Sequence, residues 1–281
     1  MNRALPEIAT GRRDILIFIG LVLGLSWLQF VPPYLEGSMG VDLPRGIGIA
    51  LGAVFMFSPV VAALVLVTWG SVTESPVSFL RQRLRWRVPA IWYVIAFLAF
   101  PVLTIIATAV FTLQGESVGL NDTVLTLLVL VFTYGLVANL FENYGWRGYL
   151  QEGLQAGQSA LVASLLVGVV WGLWHAPLVL VDSAPLSAIP FGRYMALLVG
   201  LSVLIGWVYN ETGGSVLLVA LMHCTFNGSI GLVTVSLIDS GRDVAGFITI
   251  TTIVIWVAVG ALLVWANSET LTRMPRTVDE M

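Results

Sequence analysis

The chain predicts an all-α fold, a polytopic bundle of transmembrane helices, on three observations. Its residues are 58% hydrophobic and 10% charged, with a mean hydropathy of +0.93, which leaves too little polar surface to clothe a water-soluble globule. Apolar runs of about 20 residues, the length that crosses ~30 Å of hydrocarbon, recur along most of the sequence. No internal repeat, low-complexity tract or long linker separates them, so one membrane domain is expected over 14–266, between cytoplasmic tails at 1–13 and 267–281.

Eight spans are expected, at 14–33, 46–69, 90–113, 123–149, 159–181, 194–210, 215–237 and 245–266. The first follows Arg12 and Arg13 and ends in Pro32-Pro33 without a small-x-small cleavage pattern, so it reads as an uncleaved span rather than a signal peptide. Pro59 and Pro101 lie inside the second and third spans, where a missing amide donor and a ring clash usually kink a helix. Between those spans, Ser78-Phe-Leu-Arg-Gln-Arg-Leu-Arg-Trp-Arg87 sets four arginines beside apolar side chains, a composition suited to a headgroup layer. It fits positive-inside anchoring, or recognition of anionic lipid or a substrate tail; arginine at every second position also fits an extended ribbon.

The chain has no lysine, so arginine sets the orientation. Arg3, Arg12, Arg13, Arg81, Arg83, Arg85, Arg87, Arg147, Arg273 and Arg276 fall on one side of the alternating spans, and Arg45, Arg193 and Arg242 on the other. That asymmetry places both termini in the cytoplasm, and a prokaryotic cytoplasmic membrane is the expected location. A net charge of −3, spread over loops and tails, points to no nucleic-acid partner. Cys224 is the sole cysteine, which excludes an intramolecular disulfide and a thiolate metal cluster; it reads as a packed thiol.

Ionisable groups at membrane depth are costly and need a reason. Three constellations supply candidates. The first is Glu142-Asn-Tyr-Gly-Trp-Arg-Gly-Tyr-Leu150. At roughly 100° per residue Glu142 shares a helix face with Asn139, Trp146 and Tyr149, whereas Arg147 lies roughly 140° away and is expected to hold carbonyls or mark the cytoplasmic boundary. A carboxyl group partly removed from water suits general-base chemistry; a glutamate snorkelling from a helix end is the bland alternative. The second is Trp171-Gly-Leu-Trp-His175-Ala-Pro177, with Trp171 and His175 one turn apart and Pro177 disturbing the helix beyond. The third is His223-Cys-Thr-Phe-Asn227 after the turn Asn210-Glu-Thr-Gly-Gly-Ser215. His223 and Asn227 are ~40° apart on a helix, an imidazole and an amide side by side that can hold an oxyanion or merely join helices.

Together E-x-x-x-W-R-G-Y-L, W-x-x-x-H-x-P and N-x-T-G-G-S followed by H-x-x-x-N resemble the CPBP family of intramembrane proteases, which includes the CAAX prenyl proteases and relatives linked to bacteriocin processing or immunity. The resemblance runs from about Asn139 to Asn227. It implies a principal base at Glu142, water binding and activation at His175, an oxyanion hole from His223 with Asn227, structural support from Arg147, and an aromatic position at Trp171. Family members usually carry two consecutive glutamates, and here Asn143 stands in place of the second. An amide hydrogen-bonds but takes up no proton: activity survives in reduced form if the second glutamate chiefly orients its neighbour, and is weak or absent if the pair must share a proton.

The expected activity is an intramembrane endopeptidase acting on a membrane-associated, C-terminally hydrophobic or prenylated substrate, with lipid and peptide as partners and no cofactor. Zinc held by Glu142, His175 and His223 is the alternative, although the H-E-x-x-H pattern is absent. A scaffold or immunity protein with blunted chemistry, and a proton-coupled transporter, are the rival functions. One geometric tension remains. At ~1.5 Å per residue Glu142 lies about 10 Å and His223 about 12 Å from the cytoplasmic ends of their spans, against about 24 Å for His175, so tilted spans or a fifth helix starting in the cytoplasm are needed.

Overall fold

The computed structural model describes residues 10–41, 43–70, 72, 74–119, 133, 135–181 and 186–272. The first part of the expected fourth span, and the outer parts of both tails with Arg3, Arg273 and Arg276, lie outside the described residues. The chain is helical: α1 (Arg12–Trp27) passes through a 3₁₀ turn (Leu28–Phe30) into α2 (Val31–Met39), followed by α3 (Arg45–Trp69), α4 (Pro76–Arg83) and α5 (Ala90–Leu113). Next come α6 (Leu136–Gly145), a π-helical turn (Trp146–Gln151) and α7 (Glu152–Gln155). Then follow α8 (Ala160–Trp174), α9 (Ala176–Leu180), α10 (Phe191–Glu211), α11 (Val216–Asp239) and α12 (Val244–Trp265). Six helical runs among the described residues are long and apolar enough to cross a membrane, and Ala160–Trp174 is a shorter apolar helix.

Several boundaries differ from expectation for identifiable reasons. Pro32 and Pro33 do not end the first run, because they occupy the first turn of α2, where no amide donor is required; the run stops at Gly40 with φ 63°. Pro59 and Pro101 sit inside continuous helices. The fifth span is interrupted at His175, the disturbance expected from Pro177. Pro177 has no N–H to offer the Leu173 carbonyl four residues back, so the Trp27 indole takes that carbonyl at 2.9 Å and Ser26 Oγ donates to the Trp174 carbonyl at 2.5 Å. The inner part of the expected C-terminal tail is packed: Ala160 and Leu161 amides donate to the Glu269 and Ser268 carbonyls, and Leu271 is buried.

The arginine-rich segment is helix to Arg83 and irregular beyond it. Its charges divide. Arg81 and Arg87 are exposed, as an interfacial anchor requires. Arg83 is fully buried, paired with Glu74 at 3.0 Å and Glu152 at 2.6 Å, and its Nε donates to the Gly148 carbonyl of the π-helical turn at 2.9 Å. Burial pulls that guanidinium down, but the carboxylates of Glu152 and Glu74 outweigh it and hold it above its ordinary value. Arg85 Nη1 donates to the Gly213 carbonyl at 2.5 Å. Arg83 and Arg85 therefore do not face headgroups; they tie the loop to the bundle.

The packing order that matters for the site is α10 against α8, α11 against α5 and α6, and α3 against α6. Close approach is set by small residues: a Cβ on Gly168 of α8 would meet the Val199 Cα of α10 at 2.7 Å, and one on Gly145 of α6 would meet the Pro59 backbone of α3 at 2.5 Å. Thr225 Oγ1 donates to the Ala96 carbonyl at 3.0 Å, joining α11 to α5. Gly213 and Gly214, with φ 62° and 90°, make the turn from α10 into α11. Ser215 then caps α11 by accepting from the Leu218 amide at 3.2 Å while its hydroxyl donates to the Arg85 carbonyl.

Candidate active site

The site begins with α6 and α11. Asn143 Nδ2 lies 3.2 Å from His223 Nδ1, and Asn227 Nδ2 donates to Asn139 Oδ1 at 3.3 Å. Pairing 139 with 227 and 143 with 223 lays the two helices antiparallel, each presenting positions four apart to the other. Asn139 is 2% and Asn143 1% exposed, and His223 is buried, whereas Asn227 is exposed one turn further along α11. Cys224 is fully buried beside His223 in sequence, as a packed thiol should be.

Trp171 of α8 is the hub. Its ring meets His223 edge-to-face at 4.9 Å and His175 at 5.8 Å. With Trp146, its indole is also a neighbour of the buried Glu142 carboxylate. Yet Glu142 Oε2, Trp146 Nε1 and Trp171 Nε1 each lack a hydrogen-bond partner among the described residues. A carboxylate and two imidazoles from three helices thus gather round one aromatic ring. The depth mismatch does not separate them, because His175 closes the C-terminal end of α8 while Trp171, one turn back, is the part of α8 that reaches α11.

His175 is held on several sides. Its Nδ1 lies 2.9 Å from the Trp171 carbonyl, which can only accept, so Nδ1 carries the proton and Nε2 is left with a lone pair. Trp174 contacts the ring at 4.6 Å and Tyr194 at 5.4 Å. Trp174 is itself fixed by stacking on Phe55 at 3.9 Å and by its Nε1 donating to Ser58 Oγ at 2.9 Å.

Of its two expected roles Arg147 takes the first: it lies inside the bundle, 1% exposed, and holds a carbonyl instead of marking a cytoplasmic boundary. Its Nη1 donates to Gln151 Oε1 at 2.8 Å and to the Ser202 carbonyl and hydroxyl at 3.2 and 3.0 Å, joining the π-helical turn to α10. Arg147→Ala would leave these acceptors unsatisfied around a guanidinium-sized space, so a loss of about 1–3 kcal/mol is expected. Arg147→Met, which refills the space, should recover part of it. Thermal unfolding of both variants in the same detergent is the check.

Two contributors were not singled out as site residues from the sequence. Asn139 shares the Glu142 face and was visible there as a second polar group in an apolar run. Tyr194 was not visible, since a tyrosine near the start of an apolar helix has no distinguishing neighbours; it reaches His175 and feels the Glu142 charge only because α10 packs on α8. For the zinc alternative, no three His, Cys, Asp or Glu side chains among the described residues are grouped to share a metal ion. As placed, Glu142, His175 and His223 do not form such a group.

Comparison with known proteins bears on the same segment. Residues 124–229 match the family model described as Type II CAAX prenyl endopeptidase Rce1-like. The chain is also 32% identical over 98 residues to CAAX prenyl protease 2 of Methanococcus maripaludis, a match covering 33% of this chain and 36% of that protein. The resemblance to the CPBP and CAAX proteases therefore holds over the stretch that carries all three motifs. The chain spans about a third of the length of the curated relative it matches, 36%. With six apolar helical runs of membrane-crossing length among the described residues, this is an integral membrane protein.

Proposed function

We propose that this protein is an intramembrane endopeptidase of the CAAX-protease type, working with Glu142, His175, His223 and Asn227 and without metal. The observation that carries this reading is the gathering of the Glu142 carboxylate and both imidazoles around Trp171, with Glu142 Oε2 unpartnered. Water gives a proton to Glu142 while the His175 Nε2 lone pair accepts its other hydrogen, and the oxygen attacks the scissile carbonyl carbon. The oxyanion that forms accepts hydrogen bonds from His223 and Asn227. As the C–N bond breaks, the proton held by Glu142 passes to the leaving amine.

The substrate is a peptide bearing a hydrophobic or lipidated segment near its C-terminus, which enters from the membrane. An apolar groove of about 640 Å³ between α5, α10, α11 and α12, lined among others by Leu98, Leu204, Met222 and Leu262, supports an apolar partner. Met222 precedes His223 on α11, so groove and site share a helix. The exposed Arg12, Arg13, Arg81 and Arg87 support cytoplasmic termini and chemistry towards that side.

The test is cleavage of a CAAX-type or hydrophobic reporter peptide by the full chain in liposomes. Cleavage that falls by about 10²-fold or more in His175→Ala supports the reading. No cleavage, even in Asn143→Glu, would favour a scaffold or immunity role, and proton-coupled flux of a solute would favour a transporter.

A further inference from the structure

We infer that Asn143 is a positioning residue which fixes His223 as a neutral Nε2–H donor, so that the two histidines hold opposite tautomers and divide the work between them. The inference rests on the protease reading for its catalytic meaning and on the hydrogen bonds alone for its content. Asn143 Nδ2 donates to the Asn139 backbone carbonyl at 2.8 Å. That carbonyl has no hydrogen to give, so it must face the amide nitrogen, and the Asn143 side chain cannot be turned round without setting two oxygens against each other. Its second N–H is then directed at His223 Nδ1, 3.2 Å away. A nitrogen that accepts carries a lone pair, and in a neutral ring the proton lies on Nε2.

The other histidine is fixed in the reverse sense. His175 Nδ1 faces the Trp171 carbonyl at 2.9 Å and keeps its proton, which exposes a lone pair at Nε2. One ring is therefore an acceptor suited to orient water, and the other a donor suited to an oxyanion. Both rings meet the Trp171 ring edge-on, at 5.8 and 4.9 Å. A carboxylate at position 143 would reverse the second assignment, since it can only accept when ionised and would draw a proton onto His223 Nδ1. The departure from the double glutamate thus installs a donor without needing a charged ring.

The chain contains two histidines, so nitrogen-15 labelling of histidine gives a spectrum with two rings, assigned with His175→Gln. In the full chain, His223 should show a lone-pair Nδ1 and a protonated Nε2, with His175 showing the opposite. Asn143→Gln, which keeps an amide donor, should leave His223 as it is. Asn143→Glu should move the His223 Nδ1 resonance into the protonated class while both His175 resonances stay in place, which also reports an intact fold. A protonated His223 Nδ1 in the unsubstituted protein, or a His223 signal that ignores Asn143→Glu, would overturn the inference. These readouts need no turnover: the expected tautomers in a protein that cleaves nothing would remove the protease reading and leave this one standing.

Discussion

Glu142→Gln is expected to lower kcat by about 10²- to 10⁴-fold, the contribution of a positioned general base, while leaving the protein at least as stable as before. The two halves of that expectation share a cause. Glu142 is buried at 9% exposure and its Oε2 has no partner at hydrogen-bond geometry among the described residues, the Trp146 and Trp171 indoles being its neighbouring donors, so its charge is only partly compensated. A neutral amide of nearly the same shape removes that penalty and removes the base. Functional groups often carry such a stability cost, and relieving it typically raises the unfolding temperature. Activity on a reporter peptide and thermal unfolding, measured on one preparation, check both. If activity is retained, Glu142 is not the base; if both quantities collapse, its role is to hold the bundle together.

Gly145→Ala is expected to damage the protein from the other direction, through backbone placement. A Cβ at this position would come within 2.5 Å of the carbonyl carbon, carbonyl oxygen and Cβ of Pro59. None of these is the end of a flexible side chain, so α3 and α6 would have to separate. Overpacking of this kind costs about 1–3 kcal/mol and at times more. Glu142 lies one turn before Gly145 on α6, so the same displacement would carry the carboxylate away from Trp171. A shift of about 1 Å in a catalytic group costs on the order of 10²-fold in rate, so activity should fall much further than stability. Gly11→Ala, where a Cβ meets nothing within 4 Å, is the control that should change neither. Equal stability and activity in Gly145→Ala and the unsubstituted chain would show that the α3–α6 contact is not needed.

Much of the helix placement was legible because the signals are local. Span length, apolar composition and the proline after His175 act within one segment, and the break at His175 follows from a missing N–H at Pro177. Where neighbours supply what the segment lacks, the sequence misled. Pro32-Pro33 looked like an end and became the first turn of a new helix. Arg83 and Arg85 looked like cytoplasmic charges, and distant partners draw both into structural contacts: carboxylates and a backbone carbonyl for Arg83, the Gly213 carbonyl for Arg85.

By itself the sequence determined the kind of protein and the chemical groups available to it: an apolar helical bundle with Glu142 and both histidines in its motif segment, because hydropathy and helical period are properties of contiguous residues. Only the tertiary structure decided how those groups relate. That Trp171 touches both histidines, that the neighbour Asn143 addresses is His223, and that Tyr194 enters the site depend on which helix faces pack, and packing joins residues tens of positions apart whose proximity no local pattern encodes.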